Sequence, residues 1–303
     1  MNLLRSTAIL AALCVLPLTA GCGGGDEAAD NAQPSADFVL PEQPQTAQQT
    51  PGAGSGDAAT SGDATEGWGD VVGQFVYVGT PPVPEKVSLT KDTEVCSMHH
   101  PVDESLMVAE DGGVANIVVH LRPARGQTVS RVHPDYESTA DEHIVLDNQF
   151  CRFDPHVALL RTSQTLEIKN SDPVPHNTNV KFVSGQGFNP IVPAGESSEQ
   201  QISQSEAFPG TVSCNIHPWM AGWVVVQDHP YMAVSAKDGT FTIKNLPTGE
   251  HEFQLWQEKV GFLADTSTAK GATNRQGRVT LTIEPGTNDL GKIELPAAMF
   301  EKN

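Results

Sequence analysis

The segment Cys214-Asn215-Ile216-His217-Pro218-Trp219-Met220 packs a thiol, an imidazole and a thioether into seven residues at the end of a β-patterned run. A one-electron copper site uses these groups: a deprotonated soft sulfur and two imidazoles in a trigonal plane, with a weak axial thioether that helps set the potential. The second imidazole has to come from elsewhere in the chain. Leu166-Glu167-Ile168-Lys169-Asn170-Ser171-Asp172-Pro173-Val174-Pro175-His176-Asn177 reads as an alternating strand that runs into a polar turn and delivers His176 at its end. His176 precedes Cys214 by 38 residues, far enough to arrive on a different strand. Between them, Pro193-Ala194-Gly195-Glu196 marks a turn before another strand-like stretch, Ser198 to Ser205.

Val174-Pro175-His176-Asn177 followed by Cys-x-x-His-x-x-Met resembles the cupredoxin, or blue-copper, family, with the ligand-loop spacing of amicyanins. Plastocyanins place the methionine two residues further on. Gln149-Phe150-Cys151-Arg152-Phe153-Asp154-Pro155 is similar to the strand opening many such domains, and Gly222-Trp223-Val224-Val225-Val226 to their last strand. The resemblance covers residues 144 to 228. Val212 departs from it, standing where an aromatic residue is usual two positions before the cysteine. The family implies a Greek-key β-sandwich that shuttles single electrons, with one type 1 copper held by His176, Cys214, His217 and Met220 and supported by Asn177. Taken singly, Cys214 reads as a small buried hydrophobe and Met220 as a thioether packed on Trp219. The joint order of ligand types carries the metal reading.

The same residues set expectations about behaviour. Cys214 must ionise to ligate, and Pro175 and Pro218 beside the histidines restrict rearrangement of the ligands. Asn177 is positioned to hydrogen-bond across to the Cys214 loop. His217, between Ile216 and Pro218-Trp219, is expected to present its outer edge in an apolar patch where a partner docks, with burial of Trp219 against Trp223 as the alternative.

At the N-terminus, Arg5, the apolar run Ala8 to Leu18 and Thr19-Ala20-Gly21-Cys22 read as a bacterial secretory signal, too short to span a bilayer stably. The small residues before Cys22 resemble a lipobox, in which residues 1–21 are removed and Cys22 carries lipid. The chain is then expected on the periplasmic side of a membrane. Of the five cysteines, Cys14 leaves with the signal, Cys22 is lipidated and Cys214 ligates. Cys96 and Cys151 remain as a pair in a compartment where disulfides persist. The rival is a second metal site built from Cys96-Ser97-Met98-His99-His100 with Cys151 and His156.

The formal charge is −19, and loss of the signal with Arg5 brings the mature chain near −20. Such a balance argues against nonspecific nucleic-acid binding and favours a positively charged redox partner, such as a cytochrome or a dehydrogenase. Residues 22–67 are rich in Gly, Ala, Gln, Pro, Ser and Thr, with eight acidic side chains and no Lys or Arg, and read as a disordered acidic linker.

From Trp68 the pattern turns β, and no window shows a sustained helical period. Residues 68–143 are expected as an N-terminal β-extension on the copper domain 144–228, with a separate small sandwich as the alternative, and Ser105 to Leu121 reads as a hairpin about Asp111-Gly112-Gly113. In residues 229–303, Asp238-Gly239-Thr240-Phe241 through Pro247-Thr248-Gly249-Glu250 resembles carboxypeptidase regulatory-like, transthyretin-like domains. That resemblance implies a small β-sandwich used for packing or recognition. The expected class is therefore all-β. No Ser/His/Asp order, phosphate loop or metalloprotease motif appears, so no catalytic residue is assigned and no enzyme is expected. The leading expectation is a lipid-anchored mononuclear blue-copper electron carrier; the alternative is a non-redox β-sandwich lipoprotein for metal storage or surface-ligand recognition.

Overall fold

The computed structural model describes residues 67–124, 127–129 and 131–301. The signal, the lipidation site Cys22 and the acidic stretch as far as Glu66 lie outside the described residues. What is described is almost wholly β-structure, as the patterning predicts.

Two four-stranded sheets form the first sandwich. One orders Ser197–Gln201, Thr165–Asn170, His143–Gln149 and Arg152–Asp154; the other orders Val157–Arg161, Ala221–Gln227, Gly210–Ser213 and Asn179–Lys181. Side chains alternate across a strand, so Leu166, Ile168, Val212, Val224 and Val226 all enter one core, with Leu146, Phe153, Leu160 and Val180. His143–Gln149 pairs in parallel with Thr165–Asn170, and Val157–Arg161 in parallel with Ala221–Gln227, so the chain crosses repeatedly between the layers.

Gln149 to Pro155 is not one strand, as the resemblance implies, but a tight hairpin. Gln149 pairs with Arg152, and Phe150 and Cys151 both take positive φ, 59° and 55°, in the turn between them. Two positive-φ residues give the right-handed twist that a two-residue hairpin needs, at a steric cost to non-glycine side chains.

The second sandwich corrects the expected partition of the chain. Trp68–Val78 lies between Thr240–Pro247, antiparallel, and Gly286–Pro296, parallel. Val118–Leu121 lies between Met232–Val234 and Gly249–Gln257, and the latter also pairs with Arg278–Ile283. Phe75, Val119, Leu121, Phe241, Phe253 and Ile293 share its core. Residues 68–143 are thus divided: the strands Trp68–Val78 and Val118–Leu121 belong with the C-terminal sandwich. Their long strands complete the C-terminal sandwich, because the apolar faces of Thr240–Pro247 and Gly249–Gln257 require partners that residues 229–303 do not supply alone. Gly239 makes one junction possible: its φ is +80°, its carbonyl accepts from Phe75 N–H, and a Cβ there would lie 2.1 Å from the Phe75 carbonyl oxygen. Of the expected Ser105 to Leu121 hairpin the end beside the Asp111 turn forms: Val108 bridges Val114, Ala109 N–H donates to Gly113 O and Ala115 N–H to Met107 O.

The two sandwiches meet through the outer faces of facing sheets. Val157 and Val225 pack against Val118 and Trp256, and Trp223 meets Trp256 edge-to-face at 4.7 Å. Gly222 to Val226 reads as an unbroken apolar run for this reason: Val224 and Val226 fill the first core, while Trp223 and Val225 fill the interface. The segment between Trp68–Val78 and Val118–Leu121 leaves the second sandwich and covers one end of the first. There Cys96 bonds to Cys151, with sulfurs 2.05 Å apart. That bond removes the rival second metal site: the His99 ring lies tilted against Phe150, and His156 pairs with Glu104 and Glu258.

Candidate metal centre

Three residues from two loops converge under the covered end. The strand Gly210–Ser213 returns as Ala221–Gln227, with Ser213 opposite Ala221, so Cys214 to Met220 is the connecting loop of a hairpin. The loop closes on itself: Cys214 N–H donates to Met220 O, Met220 N–H to His217 O at 2.9 Å, and His217 N–H to Cys214 Sγ at 3.4 Å. His176 and Asn177 form a two-residue strand against Ile191–Val192.

Cys214 Sγ lies 3.9 Å from His176 Nδ1 and 3.8 Å from His217 Nδ1, and the two Nδ1 atoms are 2.9 Å apart. The centre of that triangle is about 2.1 Å from each atom, against metal–imidazole and metal–thiolate bonds of roughly 2.0–2.1 Å and 2.3 Å. A first-row metal ion fits there. Among the described residues no other group of three or more His, Cys, Asp or Glu converges in this way. Met220 is buried in the same core as Cys214. Asn177 spans the two segments, its Oδ1 accepting from Asn215 N–H at 2.8 Å and Ile216 N–H at 3.2 Å and lying 3.5 Å from Cys214 Sγ.

Both distal imidazole nitrogens meet carboxylates. His176 Nε2 is 3.0 Å from Asp172 Oδ2, and His217 Nε2 is 2.8 Å from Asp92 Oδ2. A carboxylate at Nε2 fixes the tautomer that turns the Nδ1 lone pair toward the centre. Burial pushes the Cys214 thiol up, but hydrogen bonds from His176, His217 and nearby backbone groups outweigh it and bring it to about 6 from 9.0. Burial pushes His176 down, yet Asp172 and the Cys214 sulfur hold it at about 9. The two shifts are opposite in direction and share one cause, the contact between the Cys214 sulfur and the His176 ring. A metal ion held by His176, Cys214 and His217 would require the thiol and the facing imidazole nitrogens to be free of protons.

Two of the expectations change. His217 is 0% exposed, and its edge is covered by Asp92 instead of emerging in an apolar patch. Trp219 packs ring to ring with His217 at 5.0 Å and donates Nε1–H to Cys151 O, while Trp223 belongs to the interface between sandwiches. Sequence reading missed Asp172 and Asp92. Asp172, four residues before His176 in a turn already singled out, carried a local signal; Asp92 lies 125 residues before its partner and carried none.

No family model and no curated protein matches the chain. Solved structures do. A purple cupredoxin from Nitrosopumilus maritimus is 26% identical over 29% of this chain and 100% of its own, with a TM-score of 0.24. An amicyanin mutant in its oxidized state is 18% identical over 36% of this chain and 98% of its own, with a TM-score of 0.25. A Cu-containing nitrite reductase from Thermus scotoductus SA-01 is 19% identical over 35% of this chain and 25% of its own, with a TM-score of 0.26.

Proposed function

We propose that this chain binds one copper ion through His176, Cys214 and His217, with Met220 as the axial thioether, and carries single electrons between exported redox proteins. The observation behind this reading is the buried triangle of two imidazole nitrogens and one thiolate sulfur, with each imidazole backed by a carboxylate. A copper ion bound there supplies a one-electron couple.

The chain's own residues do the rest. Asp172 and Asp92 orient the imidazoles, and Asn177 ties the Cys214 loop to the His176 strand. Burial of all three ligands keeps water from the centre and so limits reorganisation when the charge changes. No substrate turnover is assigned. The lipobox-like Cys22 and the acidic linker support a tethered carrier on the periplasmic side of a membrane, and the net charge of −19 favours a basic partner. To the second sandwich, with its transthyretin-like turn motifs, we assign packing and recognition.

The test is to load the purified protein with Cu(II). An intense thiolate-to-copper charge-transfer colour that bleaches and returns on redox cycling is expected. A colourless complex, or a colour that survives Cys214→Ser, sinks the carrier reading and leaves metal storage.

A further inference from the structure

The centre is closed by a segment that belongs to neither ligand loop. Val95 N–H and Cys96 N–H both donate to the Asp92 carbonyl, at 3.0 and 2.9 Å, which turns the chain so that Asp92 Oδ2 meets His217 Nε2 at 2.8 Å. Asp92 itself takes a positive φ of 45°, a conformation that needs its surroundings to hold it. They do so through Cys96, which is bonded to Cys151 in the Phe150–Cys151 turn. That turn rests on the other carboxylate: Phe150 N–H and Cys151 N–H each donate to Asp172, at 2.8 Å, and Asp172 holds His176. Trp219 of the ligand loop donates to Cys151 O at 3.1 Å. One covalent bond thus links the carboxylate behind one histidine to the carboxylate behind the other. The Asp92 side chain is 30% exposed while His217 is 0% exposed, so Asp92 stands between the distal nitrogen of that imidazole and solvent.

We propose that Asp92 is a positioning residue of the metal centre: a cap, carried on a disulfide-stapled segment, that holds the distal nitrogen of His217 and closes the histidine edge to solvent and to docking partners. This rests on the copper reading above. Two consequences follow. Metal passes in or out only when the cap opens, so its retention depends on Asp92 and on the Cys96–Cys151 bond. A redox partner meets the cap, not the imidazole edge.

The test compares wild type with Asp92→Ala, Asp92→Asn and Cys96→Ser/Cys151→Ser, all as full chains. Transfer of Cu(I) to a competing chelator should be roughly 10–100-fold faster from Asp92→Ala and from the double variant, the range typical of losing a carboxylate behind a ligand histidine. Asp92→Asn, which keeps an acceptor for Nε2–H, should hold the metal nearly as well as wild type. Its potential should rise, because a negative charge that favours the oxidised ion is gone, and a purely structural role would not move that value. In the metal-free protein, alkylation of Cys214, followed by peptide mass, should quicken in Asp92→Ala. If Asp92→Ala fails to fold, the potential of Asp92→Asn decides. Charge-transfer colour with wild-type exchange rates and an unmoved potential overturns the cap alone. Absence of the colour from wild type overturns the copper reading, and the cap with it.

Discussion

At the scale of single residues, the centre is legible in proportion to how local its signals are. Cys214 and His217 share one loop, so the order of donor types gives them away together. His176 needs only the further step of a strand ending in a turn. Asn177 was placed by its neighbour, and the structure gives its side chain two backbone donors, Asn215 N–H and Ile216 N–H, that the tight ligand loop leaves without other partners. Truncating it removes the acceptor for donors on one exposed and one half-buried residue, at a cost of about 0.5–1.5 kcal/mol. Denaturant unfolding of metal-free Asn177→Ala should therefore show a loss in that range. An unchanged unfolding free energy would mean that water satisfies the loop and that Asn177 does not tie the ligand segments. Asp92 was illegible because its link to His217 is made by a disulfide and a left-handed backbone turn, neither of which leaves a periodic trace.

Among elements, a strand buried on both faces is legible as a strand, while its neighbours are not. Gly222 to Val226 shows why: an apolar run announces burial and stays silent on what lies against its second face. Here that face meets the other sandwich, and an ionic group reinforces the junction. His156, from the turn before Val157–Arg161, lies 2.6 Å from Glu258 of the second sandwich and 3.7 Å from Glu104 of the covering segment, and Glu104 also pairs with Arg152 at 2.8 Å. Burial pushes His156 down, but the two carboxylates prevail and raise it to about 9 from 6.5. A raised folded-state value means that the protonated form stabilises the fold. Its contribution is whole below pH 6.5 and is lost as pH climbs through about 9. The unfolding free energy that separates wild type from His156→Gln should accordingly shrink between about pH 6 and about pH 10. A difference that stays constant across that window would show that His156 acts by shape alone. His120 and His229 set the acid side. Burial lowers both to about 4, so what they contribute as neutral rings is present above pH 6.5 and lost as pH falls through about 4.

For the whole molecule, class and periodicity were visible in sequence and topology was not. Turn chemistry and alternation mark where strands begin and end. They do not say that Trp68–Val78 pairs with strands some 170 and 220 residues later, since strand pairing is a long-range choice made by complementary apolar faces. The consequence is that the sandwich bearing His176, Cys214 and His217 is an insertion within the second one, and the two cannot be separated by cutting after Asp228. Such a cut removes both neighbours of Trp68–Val78 and both neighbours of Val118–Leu121. It bares Val71, Phe75, Val119 and Leu121, all now in the second core, and uncovers Trp223 and Val225 by removing Trp256. Unpaired edges flanked by apolar faces associate with one another. A chain ending at Asp228 should be recovered as aggregate, although His176, Cys214, His217, Met220, Asp92 and both disulfide cysteines are retained. Soluble yield and size-exclusion elution measure this directly. A monomeric, coloured, copper-loaded product of that length would mean that residues 68–143 do fold onto the ligand-bearing sandwich and that the long-range pairing is dispensable.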